Sequence, residues 1–356
     1  MISKLETLMG RLPEDVDAVI LNSEHNRLYY TGLASSAGTL LVLREKAYFI
    51  IDFRYIEIAK RKAQGCEVLL QQKLGEQLRQ LTKKHGVKRI ALESENCSVK
   101  EYTSFCRMLP ECEILTDDRV NEVITAQRMI KDEHELSLIR QAQELTDRSF
   151  EYILDYIKPG KTEREIALEL EFYSRRIGSE GPSFEFIVVS GPNSSLPHGV
   201  PGERVVQNGD FITMDYGCLI EGYHSDMTRT IAVGEPSSDM KAVYDKVLEA
   251  NLKAIDAIKA GEPCNKIDAV ARDLIAAAGY GDCFGHGLGH SLGVQIHEDP
   301  RFNPTDETVC VPGMMMTVEP GIYLEGRFGC RIEDTVYVTE NGCIDITKSP
   351  KELIVL

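Results

Sequence analysis

The sequence predicts an α/β (α+β) protein built as two domains. Three observations carry that reading. Short apolar runs alternate with amphipathic helical stretches through the first third of the chain. A polar stretch without a strand pattern interrupts it at 116–135, and the remainder repeats one helical pattern at a fixed offset.

The elements follow in order. MISKLETLMGRLPEDVD sets Ile2, Leu5, Leu8, Met9 and Leu12 along one face, which reads as a short amphipathic helix and not a signal peptide, because acidic residues lie within it. DAVILN (17–22) is a buried strand, and LLVLREKAYFIID (40–52) is two strands joined by a tight turn at Glu45-Lys46. RYIEIAKRKAQ (54–64) is helical and KRIALE (88–93) is a further strand, giving an α/β domain around a mostly buried sheet. TDDRVNEVITAQRMIKDEHE (116–135) then leads into a long amphipathic helix with Leu136, Ile139, Ala142 and Leu145 on one face. The boundary falls near 120–130, giving domains of 1–125 and 126–356.

The second domain contains an internal echo. IKPGKTEREIALELEFYSRRIG (157–178) and IKAGEPCNKIDAVARDLIAAAG (258–279) align without a gap at an offset of 101 residues. Thr162 and Glu165 form a capping box for the first copy, Pro263 sits near the start of the second helix, and Gly178 and Gly279 suit the positions just past the helix ends. Any two amphipathic helices can look this alike; a true echo makes the domain a pseudo-twofold duplication, and active sites often form where such halves meet.

Bulk properties narrow the function. The net charge of −16 argues against nucleic acid or an anionic membrane as the main partner, since both attract basic surfaces. No apolar run approaches the roughly 18 residues that a membrane span requires. Ten cysteines occur without a Cys-x-x-Cys pair, and several, such as Cys218, Cys310 and Cys330, have apolar neighbours. They read as reduced core cysteines of a cytoplasmic protein.

MDYGCLIEGYHSD (214–226) places Asp215 and Asp226 on the two arms of a hairpin with Gly222 at its turn. A turn centred between Ile220 and Glu221 sets the two aspartates directly opposite each other, on one face. Facing like charges destabilise a sheet unless something positive lies between them. Arg229 or a lysine can neutralise the pair, or a different register can turn one aspartate to solvent. Three further segments bear on this choice. GHGLGHSLGVQIHEDP (285–300) gathers His286, His290 and His297, three of the chain's eight histidines, within twelve residues. VEPGIYLEG (318–326) puts Glu319 after an apolar run, and CRIEDTVYVT (330–339) puts Glu333 in an apolar strand. Separate surface carboxylates and turn-capping histidines account for each segment alone. Together, four strand-borne carboxylates and an imidazole make an oxygen-rich site for two divalent cations. Such donors favour manganese, cobalt or iron, with zinc also possible.

These segments resemble the pita-bread metallopeptidases, the family of aminopeptidase P, prolidase and methionine aminopeptidase. SLPHGVPGERVVQNGDFITMDYG, GYHSDMTRT, GHGLGHSLGVQIHEDP, MTVEPGIY and GCRIEDTV occur in family order, and DAVILNSEHNRLYYTGL resembles the creatinase-type N-terminal domain. The resemblance implies a creatinase-like domain followed by a pseudo-twofold pita-bread catalytic domain. It implies five metal ligands, Asp215, Asp226, His290, Glu319 and Glu333, with Asp226 and Glu333 bridging two ions. Creatinase shares the fold but lacks this set. The implied activity is hydrolysis of an N-terminal Xaa-Pro bond by a metal-bridging hydroxide. Glu319 would shuttle the proton, and His198 and His297 would stabilise the oxyanion. His286 would line the proline pocket, with Tyr323 and Arg331 in support. Arg301, four residues after His297, matches an arginine that archaeal-type prolidases use for the substrate carboxylate, although it can also pair with Glu298 or Asp299. The reading is therefore an Xaa-Pro dipeptidase and a homodimer. The alternatives are an Xaa-Pro aminopeptidase acting on longer peptides and, more remotely, a non-catalytic pita-bread binding protein.

Overall fold

The computed structural model of the chain describes residues 3–356, so Ile2 of the N-terminal pattern lies outside it. The chain divides into two compact units, one ending at Arg128 and the other beginning at Met129.

The first unit is a mixed sheet with helical crossovers. Its strands are β1 (Ala18–Leu21), β2 (Thr39–Leu43), β3 (Ala47–Ile51), β4 (Glu67–Leu70), β5 (Arg89–Leu92) and β6 (Glu113–Leu115). They lie in the order β4-β3-β2-β1-β5-β6. All residues of β1, β2 and β3 are buried, which is why they read as continuous apolar runs. Its helices are α1 (Lys4–Arg11), α2 (Glu24–Thr31), α3 (Ile56–Lys62), α4 (Leu74–His85), α5 (Val99–Met108) and α6 (Arg119–Met129). Leu5, Leu8 and Met9 form the buried face of α1, and Ser3 and Glu6 close its N-terminus as a capping box. The polar stretch that showed no strand pattern is largely helix α6. Its buried face includes Asn121, Gln127 and Arg128, which hydrophobic periodicity does not register. Hydrogen bonds offset that burial: Gln127 Nε2 donates to the Lys4 carbonyl at 2.8 Å, and Arg128 Nη1 to Asn26 Oδ1 at 3.1 Å.

The second unit repeats one design twice. In the first half α7 (Glu133–Tyr156) and α8 (Glu163–Arg176) precede β7 (Ile187–Ser190), β8 (Asp210–Tyr216), the short hairpin β9 (Leu219–Ile220) and β10 (Tyr223–His224), and β11 (Met227–Val233). The main strands form an antiparallel sheet in the order β11-β8-β7. In the second half α9 (Ser238–Ala257) and α10 (Cys264–Ala277) precede β12 (Gly289–Ser291), β13 (Glu298–Phe302), β14 (Met315–Val318), β15 (Gly321–Leu324), β16 (Phe328–Arg331), β17 (Asp334–Thr339) and β18 (Gly342–Asp345). The larger sheet runs β13-β12-β14-β17-β18, with β15 and β16 paired separately.

The sequence echo has three-dimensional counterparts. Thr162 caps α8 with Glu165 in a capping box, and Pro263 occupies the equivalent cap of α10. Each cap residue makes one antiparallel bridge, Thr162 to Val205 and Pro263 to Val309. Gly178 and Gly279 follow the two helices with φ of 125° and 88°, a region that disfavours residues with a Cβ.

The halves are tied by a buried ion pair. Arg229 on β11 and Asp334 on β17 are 1% and 0% exposed, and their charged atoms lie 2.7 Å apart. Arg229 Nη1 also donates to the Glu333 carbonyl at 2.5 Å, and Nη2 to the Ser349 carbonyl at 2.8 Å. Asp334→Asn leaves this guanidinium short of a charge partner, so we expect a loss of about 3–5 kcal/mol in urea unfolding. An unchanged midpoint would show that the carbonyl bonds alone hold Arg229.

Candidate metal centre

The 214–226 hairpin puts its aspartates on one face, but in a different register from that expected. Its two-residue turn centres on Glu221 and Gly222, with φ of 48° and 75°. Asp215 therefore faces Thr228 across the sheet, and Asp226 lies diagonal to it, just before β11. Moving the turn by one residue shifts partners by two, so both carboxylates stay on the same side. The neutralising cation is Arg331, whose Nη2 lies 2.6 Å from Asp215 Oδ2; Arg229 serves Asp334 instead.

Asp215, Asp226, His290, Glu319 and Glu333 all line one cavity of about 460 Å³. Asp226, His290 and Glu333 offer ligand atoms within 4.8 Å of one another. His290 enters on β12 beside Gly289, where a Cβ would overlap the Thr317 carbonyl oxygen. Glu319 follows β14, its N–H donating to the Leu288 carbonyl at 2.7 Å. Glu333 precedes β17 and accepts a bond from Thr228 Oγ1 at 2.8 Å.

The hydrogen bonds fix the imidazole orientation. His290 Nδ1 lies 3.0 Å from the Ser291 carbonyl, which only accepts, so Nδ1 carries the hydrogen. Nε2 then turns its lone pair toward Glu319 Oε1 at 3.5 Å and Asp226 Oδ2 at 3.6 Å. Burial pushes the His290 ring down to about 3, so it is neutral and these contacts are not ion pairs. Burial, with neighbouring carboxylates, drives Asp226 and Glu333 well above the ordinary carboxylate range. Burial pushes Glu319 up to about 8. Asp215 Oδ1 and Asp226 Oδ1 are buried without a hydrogen-bond partner. A lone pair facing carboxylates, orphaned buried oxygens and mutually repelling acids are all relieved by a divalent cation, so this donor set fits one.

The remaining residues surround this cluster. Arg331 Nη1 donates to Tyr323 Oη at 2.8 Å, and Tyr323 Oη lies 3.0 Å from His286 Nε2. Because His286 Nδ1 faces the Gly287 carbonyl at 2.8 Å, Tyr323 donates to Nε2, completing a chain from His286 to Asp215. Tyr323 thus meets the site through its neighbours, whereas His286 and Arg331 line the cavity directly. His198, His297 and Arg301 line it too. The His297 ring stands edge-on to His290, with centroids 4.5 Å apart. Arg301 pairs with His290 across β12–β13, and its half-exposed guanidinium lies 3.5 Å from Asp299. Glu298, the other candidate partner of Arg301, binds Lys131 instead.

Two threonines escaped the sequence reading. Thr228 bonds both Glu333 and Arg331, and Thr317 accepts the His290 N–H at 3.0 Å. Their signal was the strand period: Thr228 lies two residues after Asp226, and Thr317 two before Glu319.

Fold and cluster together define a metal-dependent hydrolase. The chain belongs to metallopeptidase family M24, whose model matches residues 137–340, and residues 1–130 match the creatinase/prolidase N-terminal domain. It is 37% identical to the Xaa-Pro dipeptidase of Pyrococcus horikoshii over 340 residues, 95% of each chain. Among solved structures, an Xaa-Pro dipeptidase from Bacillus anthracis aligns with a TM-score of 0.95 at 41% identity, covering 99% of both chains. An X-Pro aminopeptidase from Thermotoga maritima aligns at 0.90 and 36% identity, covering 96% of this chain and 98% of that one. Among the described residues no helix is long and apolar enough to cross a membrane, and all ten cysteines are free.

Proposed function

We propose that this chain is an Xaa-Pro dipeptidase using two divalent ions, preferably manganese, held by Asp215, Asp226, His290, Glu319 and Glu333. Asp226 and Glu333, both buried, would hold the ions most deeply. The observation that carries the reading is the bare Nε2 lone pair of His290 aimed at the buried carboxylate of Asp226 and the half-buried one of Glu319. Bound there, the ions lower the pKa of water so that a nucleophile exists at neutral pH. Glu319 holds a proton at its carboxylate and delivers it to the leaving nitrogen of proline. His198 and His297, at the cavity wall, donate toward the carbonyl oxygen as it gains charge. Arg331 and Tyr323 hold Asp215 in place, and His286 faces the proline ring. The proposal includes a creatinase-like domain over 1–125 and a catalytic domain over 126–356, assembled as a cytoplasmic homodimer. The ten free cysteines accord with a reducing compartment.

The dipeptide preference rests on Arg301, whose planar fork suits a free carboxylate. We expect the manganese-reloaded enzyme to cleave an Xaa-Pro dipeptide faster than the matching Xaa-Pro-Yaa tripeptide. Arg301→Ala should raise KM for the dipeptide by roughly 10- to 100-fold, the worth of one charged hydrogen-bond pair, and barely alter the tripeptide. The second reading, an Xaa-Pro aminopeptidase, draws on the contact of Arg301 with Asp299 and on the Thermotoga maritima structure. Faster tripeptide cleavage decides for it.

A further inference from the structure

Lys131 lies just before the N-cap of α7, and nothing in the proposed chemistry uses it. Its side chain is 1% exposed, and the ammonium lies 3.2 Å from Glu298 Oε2, itself on a side chain 4% exposed. The same ammonium donates to Ser291 Oγ at 3.0 Å. One buried charge thus grips both ends of the segment 291–298.

Glu298 holds the middle of that segment as well. Its Oε1 accepts the Gln295 N–H at 3.1 Å. A Cβ on Gly293 would lie 2.8 and 2.9 Å from the two carboxylate oxygens, so the carboxylate packs directly on that backbone. Gly293 is anchored in turn by its carbonyl, which accepts the His224 N–H at 2.9 Å. The backbone of Lys131 is fixed by an N–H bond to the Gly313 carbonyl at 2.9 Å.

The residues next to the gripped ends are His290 and His297. The β ladder does not set one against the other. His290 pairs with Arg301 but Ser291 pairs with Glu298, so the register slips between these two positions. A slipped ladder leaves the relative placement of the flanking side chains to other contacts. The Lys131–Glu298–Ser291 contacts supply them, and the two imidazoles meet edge-on at 4.5 Å.

We propose that Lys131 is a positioning residue which, through Glu298 and Ser291, sets the metal-binding imidazole of His290 against His297. This rests on the peptidase reading above. Burying an ion pair rarely gains stability over apolar packing, so a placement role is a reason for its presence here.

The test uses the full chain, stripped of metal, with manganese(II) affinity by calorimetry and kcat and KM on an Xaa-Pro dipeptide after reloading. For Lys131→Met we expect manganese affinity and kcat each to fall about 10- to 100-fold, the usual effect of losing a group that orients a ligand. KM should stay within about twofold. Lys131→Arg, which keeps charge and donors, should recover most of both. Adding Glu298→Gln to Lys131→Met should cost little more than Lys131→Met alone, because the two side chains act on the site through one shared contact. Wild-type manganese affinity and kcat in Lys131→Met would overturn the proposal. So would a lowered melting temperature whose remaining folded protein binds manganese normally, since Lys131 would then be structural only. A wild-type chain that binds no manganese overturns the peptidase reading itself, a result separable from the other two.

Discussion

Glu333→Gln and Asp226→Asn should each abolish turnover and leave the chain folded. Both residues are buried acids in a cluster where three of the ligand-bearing side chains converge within 4.8 Å. Each variant removes one negative charge and one metal-binding oxygen while keeping shape. In Glu333→Gln the amide oxygen can still accept from Thr228, so β11 stays joined to the start of β17. A divalent ion stabilises transition-state charge by several kcal/mol, so kcat should fall at least about a thousandfold. Manganese affinity should fall by more than about a hundredfold, beyond what loss of an orienting group costs. Without metal, both variants should melt above the wild type, because one member of a mutually repelling set is gone. That opposite sign separates a ligand from a core residue, whose loss lowers stability with and without metal. Wild-type turnover in both purified variants would sink the metal assignment.

Much of this was legible in the sequence because strands and ligands leave local marks. The runs at 17–22 and 40–52 read as strands since every residue of β1 to β3 is buried. The two aspartates and two glutamates stood out because a carboxylate in an apolar strand demands a partner. What stayed hidden is set by tertiary packing. Helix α6 buries Asn121, Gln127 and Arg128 through hydrogen bonds, so its apolar period is faint. The hairpin register depended on Glu221 taking φ of 48°, an unusual value for a glutamate that composition could not foretell. Arg331 rather than Arg229 neutralises Asp215, and choosing between two arginines requires knowing which strand crosses where. Lys131 and Glu298 are far apart in sequence, and no motif links them.

The metal-free chain should lose stability as pH rises from about 6.5 to 8, and saturating manganese should remove that slope. Glu319 is pushed from its ordinary 4.5 to about 8 in the folded chain, and Asp226 and Glu333 move the same way. Across this window the native chain keeps protons that the unfolded chain has released. Unfolding is then favoured by rising pH, with a slope of about 1.4 kcal/mol per pH unit for each proton retained. The histidines oppose this only at lower pH. His224 and His286 are held at about 4 and His290 at about 3 by burial, below an ordinary 6.5. Their contribution is complete above 6.5 and is lost as pH falls, so below 6.5 the two effects partly cancel. Above it the acids act alone. Urea midpoints at several pH values in this window measure the slope, and Glu319→Gln should flatten it by removing one of the titrating groups. Manganese acts by replacing the protons: a cation among the carboxylates favours their ionised forms, and binding tightens as they deprotonate. A metal-free midpoint that climbs between 6.5 and 8 would mean that these acids are already ionised and satisfied by the protein alone, and the cluster would have no need of a metal.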